Sequence, residues 1–417
     1  MCRSPYFFLL IVLKLAQGND WASWRGPTGD GIWPTEGIEP FPEQGLEPSW
    51  RASIGPGYSG VAVAEGRVYT MDLQEKNGQK QERLVCFDTE SGKQLWWSAY
   101  DVNYGDLSYA KGPRSMPTVH KSRVYTLGAV GHLACHDAKT GKQIWFVDSI
   151  RDWMAKRPTW GYSAALRLWE GKLYAPLGLE NGGALAAIDP QTGQKLWQSG
   201  GDGAGYGWPV PIKTGGETQF LYWSPNKVLG LDPTNGDILW SHPYKVKYGV
   251  SIATPIFHQG IAYVAGYWHG SRALKLGANN NPPQLLWETE DTLCGLMSQP
   301  LYRDGTAYLM DRRTGINAFD FKTGKILWAA NNHYEPKDRN PQATLVWVGN
   351  TEKVLLLNSL GELILAEFRP DGHRELSRVQ IVGKTWAHPA YAGDSIFARS
   401  DRELVRVRLP VHMTQKN

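Results

Sequence analysis

His132 and His136 stand four residues apart beside Cys135, and these residue types bind metals. The surrounding pattern H-L-A-C-H-D alternates like a strand, on which four residues span ~13 Å. That is too far for one ion held by bonds of ~2 Å, so no metal is assigned there. Asp88, Asp137, Asp189, Asp232 and Asp320 invite a general-acid reading, but each recurs at the same place in a repeated turn, which makes them structural. The strings H-E-x-x-H, G-x-S-x-G, the P-loop and the dinucleotide fingerprint are all missing. What remains is a set of segments that mix aromatic rings with guanidinium or amino groups. D-V-N-Y-G-D-L-S-Y-A-K-G-P-R-S-M precedes Pro117, R-D-W-M-A-K-R-P-T-W-G-Y-S follows Ile150, and G-A-G-Y-G-W precedes Pro209. K-V-K-Y-G-V-S precedes Ala253 and K-T-W-A-H precedes Pro389. Rings interleaved with guanidinium groups suit a flat polar or anionic ligand, a sugar, or an extended peptide.

The elements that must position these segments are set by a repeat. C-F-D-T-E-S-G-K-Q-L-W ends at Trp96, and units of the same spacing end at Trp145, Trp197, Trp240 and Trp328. Each runs small-x-Asp-x-x-(Thr/Ser/Asn)-Gly-x-x-x-Trp. Aspartate can accept backbone N–H groups two and three residues on, and the glycine supplies a left-handed turn position. The unit is therefore a hairpin with a glycine bulge. The small residues Cys86, Cys135, Ala187, Gly230 and Ala318 are expected to leave room for a neighbouring repeat's indole. Upstream, each repeat adds a strand that begins near proline (Pro117, Pro209, Pro255, Pro300, Pro389) and a second strand. The second carries Tyr69, Tyr125, Tyr174, Tyr222, Tyr263, Tyr308, Leu355 or Phe397 at one fixed place.

Four short antiparallel strands per repeat make a propeller blade. Terminal Trp residues count six blades, with a degraded turn before Trp287, and Arg378 is assigned to a seventh slot. Three strands follow Arg378 without a fourth, whereas Glu47–Ile54 is a fourth strand without a blade. Pairing the two closes an eight-bladed, all-β ring, puts Trp50 in the eighth slot and removes two open sheet edges. The expected organisation is a signal peptide over 1–18, an N-terminal strap over 19–45, the propeller over 46–410 and a polar tail over 411–417. The strap is expected to lie over the propeller with Trp21 and Trp24 as packing anchors, or as a lid that stacks on a ligand. A short helical turn is expected at Arg151–Lys156.

In a propeller, the loops entering the innermost strands ring the central channel. This places Arg114, Arg157, Tyr162, Tyr206, Trp208, Tyr248, Trp386 and His388 at one mouth. Two roles are open to them: binding a ligand or partner, or plugging the channel and packing the blades.

The hairpins resemble the tryptophan-docking motif of propellers of the pyrroloquinoline-quinone (PQQ) type. Together with W-x-x-W-R-G-P-x-x-D-G from Trp21 to Gly31, and with G-P-R-S-M-P-T-V and K-T-W-A-H-P, they resemble exported PQQ-like repeat propellers. That group is similar in fold to the lipoprotein of the outer-membrane β-barrel assembly machine and to quinoprotein alcohol dehydrogenases. The resemblance implies a binding or scaffolding propeller of the cell envelope, or a PQQ- and Ca²⁺-dependent dehydrogenase. The aromatic mouth adds a carbohydrate-binding or carbohydrate-processing alternative. Two departures weigh on these. No cysteine follows Gly18, as a lipid anchor would require, and the adjacent cysteine pair typical of quinoprotein dehydrogenases is missing. No catalytic residue is assigned, and the reading favours a protein that is not an enzyme.

Arg3, the apolar run Tyr6–Leu13 and Ala16-Gln17-Gly18 have the order of a secretory signal. Losing Arg3 and Lys14 takes the formal charge from +4 to +2, so nothing argues for a nucleic-acid partner. No stretch approaches the ~20 apolar residues of a membrane helix. The reading is a monomer, exported to periplasm or exterior, that takes an unidentified protein or small polar ligand. Cys86, Cys135 and Cys294 are expected as buried apolar residues.

Overall fold

The computed structural model describes residues 20–278, 281–295 and 297–411, and the expected signal peptide lies outside them. Eight sheets form the ring, each built on four antiparallel strands, and one of them carries a fifth. Their innermost strands are Ala62–Ala64, Thr118–His120, Arg167–Trp169, Val210–Thr214, Ile256–His258, Leu301–Arg303, Ala343–Val348 and Ala390–Ala392, and blades 1 to 8 are numbered in that order. Blades 2, 4, 5, 6 and 8 begin one residue after the prolines expected to mark them. Proline holds the residue before it extended and brings no N–H that needs a partner at a strand's first position.

Ring closure is as the unpaired strand required. Pro48–Ser53 pairs antiparallel with Glu403–Arg408 and completes blade 8. Trp50 Nε1 then donates to Thr89 O of blade 1 at 2.8 Å, and a β-carbon at Gly92 would stand 2.5 Å from its ring. Trp96, Trp145, Trp197 and Trp287 do the same around the perimeter, whereas Trp240 donates to Gln219 of its own blade. Trp96 donates to Ala138 O (3.2 Å) and covers Gly141, and Trp145 donates to Pro190 O (3.0 Å) and covers Gly193. Trp287 donates to Phe321 O (3.1 Å) and covers Gly324. Those glycines have φ of +67° to +75°, so they serve both the turn and the close approach of a flat ring. The preceding aspartates are saturated by their own turns: Asp137 accepts from Lys139 N, Thr140 N and Thr140 Oγ1. These bonds hold its carboxyl below the usual range, as befits an Asx turn rather than an acid.

Two details of the repeat differ from expectation. The small residue pairs across the hairpin with its own repeat's Trp, as Cys86 with Trp96 and Gly230 with Trp240. It makes room there, and a neighbour's indole rests on the turn glycine instead. In blade 7 the same register puts Ser377, not Arg378, opposite the equivalent residue Leu365. Blade 8 receives its outer strand from the start of the chain and has no Asp–Gly turn beside this position. The strap supplies a substitute: Phe41, itself buried, donates its N–H to Ser377 Oγ at 2.9 Å. Arg378 pairs with Glu362 and Glu375.

The strap does not lie over the ring; it runs inside the channel. Trp21 bridges Val63 of blade 1, and Ala22 O accepts from Val119 N of blade 2. Gly29 sits so close to Arg167 and Trp208, of blades 3 and 4, that a β-carbon would stand 3.2 and 2.7 Å from them. Trp24 Nε1 donates to Thr254 Oγ1 ahead of blade 5, and Arg25 donates to Pro300 O ahead of blade 6. Ile32–Trp33 adds a parallel fifth strand to blade 7, and Trp21 and Trp33 pack on Tyr391 of blade 8. One segment of about a dozen residues thus touches all eight blades. Elsewhere the expected helical turn starts two residues earlier, as Ser149–Trp153 capped by Asp148. Val411 bridges Ile38, and 412–417 lie outside the described residues. Cys86, Cys135 and Cys294 are free and buried.

Candidate ligand-binding site at the channel mouth

Above the strap the channel opens into a cavity of about 430 Å³, within the size range of small-ligand sites. Every blade contributes to it from the loop that enters its innermost strand. Tyr58 and Gly60 come from blade 1, Tyr109 and Arg114 from blade 2, and Trp160 and Ser163 from blade 3. Tyr206 and Trp208 come from blade 4, Val250 and Ile252 from blade 5, and Met297 and Gln299 from blade 6. Arg339, Asn340 and Gln342 come from blade 7, and Trp386 and His388 from blade 8. Tyr267 and Trp268, in the turn after Ile261–Gly266, and Arg312, in the turn after Thr306–Asp311, complete the wall, and Trp24 joins it from the strap.

Of the residues singled out in the sequence, Arg114, Tyr206, Trp208, Trp386 and His388 meet in this cavity. Tyr248 stands on its rim, exposed, with its ring 5.8 Å from Trp160 and 5.5 Å from Trp268. Arg157 and Tyr162 are not brought to it. Arg157 donates to Tyr104 O and pairs with Asp106, while buried Tyr162 donates to Leu177 O. Both tie blade loops together. The residues missed are Tyr267, Trp268 and the cluster Arg312, Arg339, Gln299 and Gln342. Of the two strap residues expected as packing anchors or as a stacking lid, Trp24 lines the cavity and Trp21 is buried packing at 2% exposure. Tyr267, Trp268 and Arg312 lie in turns between second and third strands, outside the loops that enter the innermost strands. The signal available was that G-Y-W-H-G and D-R-R-T-G put aromatic and basic residues where other blades have short turns.

The three arginines of the wall differ in how they are held. Arg114 donates to the carbonyls of Gly112, Ser108 and Tyr109, each at 2.8 Å, and lies 5.5 Å over the Tyr58 ring. Arg312 lies 5.1 Å over Tyr267, and its buried Nε has no hydrogen-bond partner. Arg339 is exposed, and its carbonyl accepts from Tyr267 Oη at 2.6 Å. Among the described residues none of the three makes an ion pair. Gln299 is fixed by accepting from Thr254 N and donating to Met297 O. Burial holds His388 neutral, its pKa pulled down to about 3 with help from Arg25. Burial likewise raises the Tyr206 hydroxyl to about 12. At neutral pH the wall is therefore neutral rings and amides plus three cations.

A hard-cation site needs about 6–8 oxygens, with carboxylates among them, and the wall has no Asp or Glu among its described residues. The aspartates of the mouth loops are spent elsewhere. Asp106 and Asp152 pair with Arg157 and Arg151, Asp148 caps a helix, and Asp202 accepts from Ser224 and Asn226. Asp101 accepts from Gln81. A Ca²⁺ ion would face three uncompensated guanidinium groups, so these residues do not fit a PQQ–Ca²⁺ pair. No described group of three or more His, Cys, Asp or Glu is arranged to hold a metal. His132 and His136 share one strand without a common ligand.

Comparison with known proteins adds a family and a set of folds. The family model described as outer membrane protein assembly factor BamB matches residues 28–204 and 207–330. BamB from Moraxella catarrhalis superposes with a TM-score of 0.58 at 14% identity, over 87% of this chain and 100% of that one. The quinohemoprotein alcohol dehydrogenase of Comamonas testosteroni gives 0.64 at 14% identity, over 96% and 82%. A europium-containing methanol dehydrogenase gives 0.63 at 12%, over 96% and 100%. At such identities the likeness is one of fold. No curated protein sequence matches the chain.

Proposed function

The chain belongs to the outer membrane protein assembly factor BamB family, and from that premise we propose that it is a non-catalytic binding propeller of the cell envelope. It holds a ligand, or a segment of a partner, in the mouth of its channel. The observation that carries this reading is the composition of the cavity wall: all eight blades feed it, its rings and arginines face an open space, and no carboxylate stands among its described residues. Dehydrogenation of an alcohol needs a base for the hydroxyl proton. The neutral, buried His388, tilted against Trp24 with ring centres 4.3 Å apart, is a poor candidate, because protonation there is disfavoured.

Backbone strain supports the binding role. Tyr109 and Tyr248 have φ of +55° and +58°, an unfavourable region for bulky residues. Both are exposed rim residues, and Tyr109 lies 6.0 Å from Trp386. Strain of this kind is retained where a site must present a side chain.

Export to the envelope rests on the family's description and on residues 1–18, and peptide mapping of the mature protein should find a new N-terminus near Asn19. The binding reading is tested with the full chain, PQQ, Ca²⁺, an artificial electron acceptor and a panel of alcohols and sugars. No dye reduction above the protein-free rate is expected. Dye reduction that disappears in Trp268→Ala would overturn the reading in favour of a quinoprotein dehydrogenase.

A further inference from the structure

We propose that the mouth takes an anionic saccharide, a pyranose unit bearing carboxylate or sulfate. The inference rests on the binding reading above and names its ligand. Three features of the wall carry it.

The first is uncompensated charge. Arg312 and Arg339 make no ion pair among the described residues, and Arg312 Nε is buried without a hydrogen-bond partner, with only the Cys294 thiol beside its guanidinium. Buried donors are ordinarily satisfied, so this one points to an acceptor that enters from outside. A guanidinium fork matches carboxylate and sulfate oxygens in pairs. With no acidic group in the wall, the field at the mouth is positive and draws anions.

The second is the shape of the apolar surface. Rings in contact along the wall meet at 32° for Tyr58 and Trp386, 45° for Tyr109 and Trp386, and 89° for Tyr267 and Trp268. The wall is faceted rather than a slot between parallel planes. A puckered ring offers C–H groups on several faces and fits facets, whereas a planar aromatic ligand is best served by parallel ones.

The third is the amide set. Gln299 and Gln342 are buried at the inner end, at 4% and 2% exposure. Gln342 Oε1 accepts from Ser298 Oγ at 3.3 Å, and its Nε2 has no partner among the described residues. Amides both donate and accept, which is what hydroxyl groups require. Guanidinium for the acid, rings for the C–H faces and amides for the hydroxyls together describe an acidic sugar.

Calorimetric titration of the full chain tests this with four probes: trigalacturonate, a sulfated galactose disaccharide, uncharged cellotriose, and PQQ. At least one acidic sugar should bind ten-fold or more tightly than cellotriose, and weaken as salt is raised. Which of the two binds separates carboxylate from sulfate. Arg312→Gln should weaken that binding at least ten-fold, while Arg313→Gln, whose side chain pairs with Asp291, should leave it unchanged. Matching melting curves for both variants show that the loss is not one of folding. Cellotriose binding as tightly, indifference to Arg312→Gln, or silence from all three sugars would overturn the saccharide assignment. PQQ binding alone would overturn it too, yet leave the binding propeller standing. The binding propeller itself fails separately, through the dye reduction described above.

Discussion

At the perimeter Trp145 lies on Gly193, donates to Pro190 O and is 8% exposed. At the mouth Trp268 meets Tyr267 edge-on and borders open space. The two regions use the same residue type under opposite rules. Perimeter indoles are repeated and hydrogen-bonded, and five of them are matched to a glycine whose missing side chain leaves their space. Mouth rings are not repeated from blade to blade, and the arginines among them have no acid to pair with. The difference separates what the ring needs to stand from what it is free to present.

The largest break should come where the two regions share one segment. Deleting residues up to Ala52 removes the closing strand and the strap, which touches every blade, and should abolish cooperative thermal unfolding. Trimming 412–417 should change the melting curve little. Next, Trp145→Ala should cost roughly 3–5 kcal/mol, as loss of a large buried ring does, read as a fall in the denaturant midpoint. Gly141→Val should be comparably harmful, since a β-carbon there would lie 2.4 Å from the Trp96 ring at φ +73°.

A smaller effect belongs to the loop joining the two regions. Glu335 is buried in the segment that carries Arg339 and Gln342 to the mouth. Its Oε1 accepts from Asn332 at 2.9 Å and its Oε2 has no partner. Burial raises its pKa to about 7, opposed by Asn332 and Arg378. The folded value lies above the ordinary 4.5, so the stabilising contribution is full below about pH 4.5 and is lost as pH rises through 7. Glu335→Gln should flatten the decline in stability between about pH 4.5 and 7, a difference on the order of 2–3 kcal/mol. An unchanged pH profile would place the charge elsewhere. Smallest of all, Trp268→Ala and Arg312→Gln should shift stability by no more than about 1 kcal/mol, because the mouth is not what holds the ring.

The perimeter was legible in the sequence because it is periodic. Trp50 and the unpaired strand around it located the closure, and the prolines located five inner strands to the residue. Arg378 was misplaced because the blade 7 hairpin is longer, its strands paired as far as Arg369 and Gly372, so the spacing that holds in the other hairpins does not carry over. The mouth was legible only where blades followed the rule of loops entering innermost strands, as at Tyr206, Trp208 and Trp386. Trp268 and Arg312 escaped because they come from turns on a different strand pair. Trp24 was left between anchor and stacking lid because a path inside the channel leaves no periodic trace.

Hydroxyl-radical labelling of the full chain, with and without saturating trigalacturonate or the sulfated disaccharide, tests the division most directly. Trp97, on a perimeter strand, is 52% exposed and serves as the outside reference. The account predicts that the acidic sugar lowers labelling of Trp24, Trp160, Trp268 and Trp386 and leaves Trp97 unchanged. Protection at Trp97, with the four mouth rings labelled as in the free protein, would contradict it.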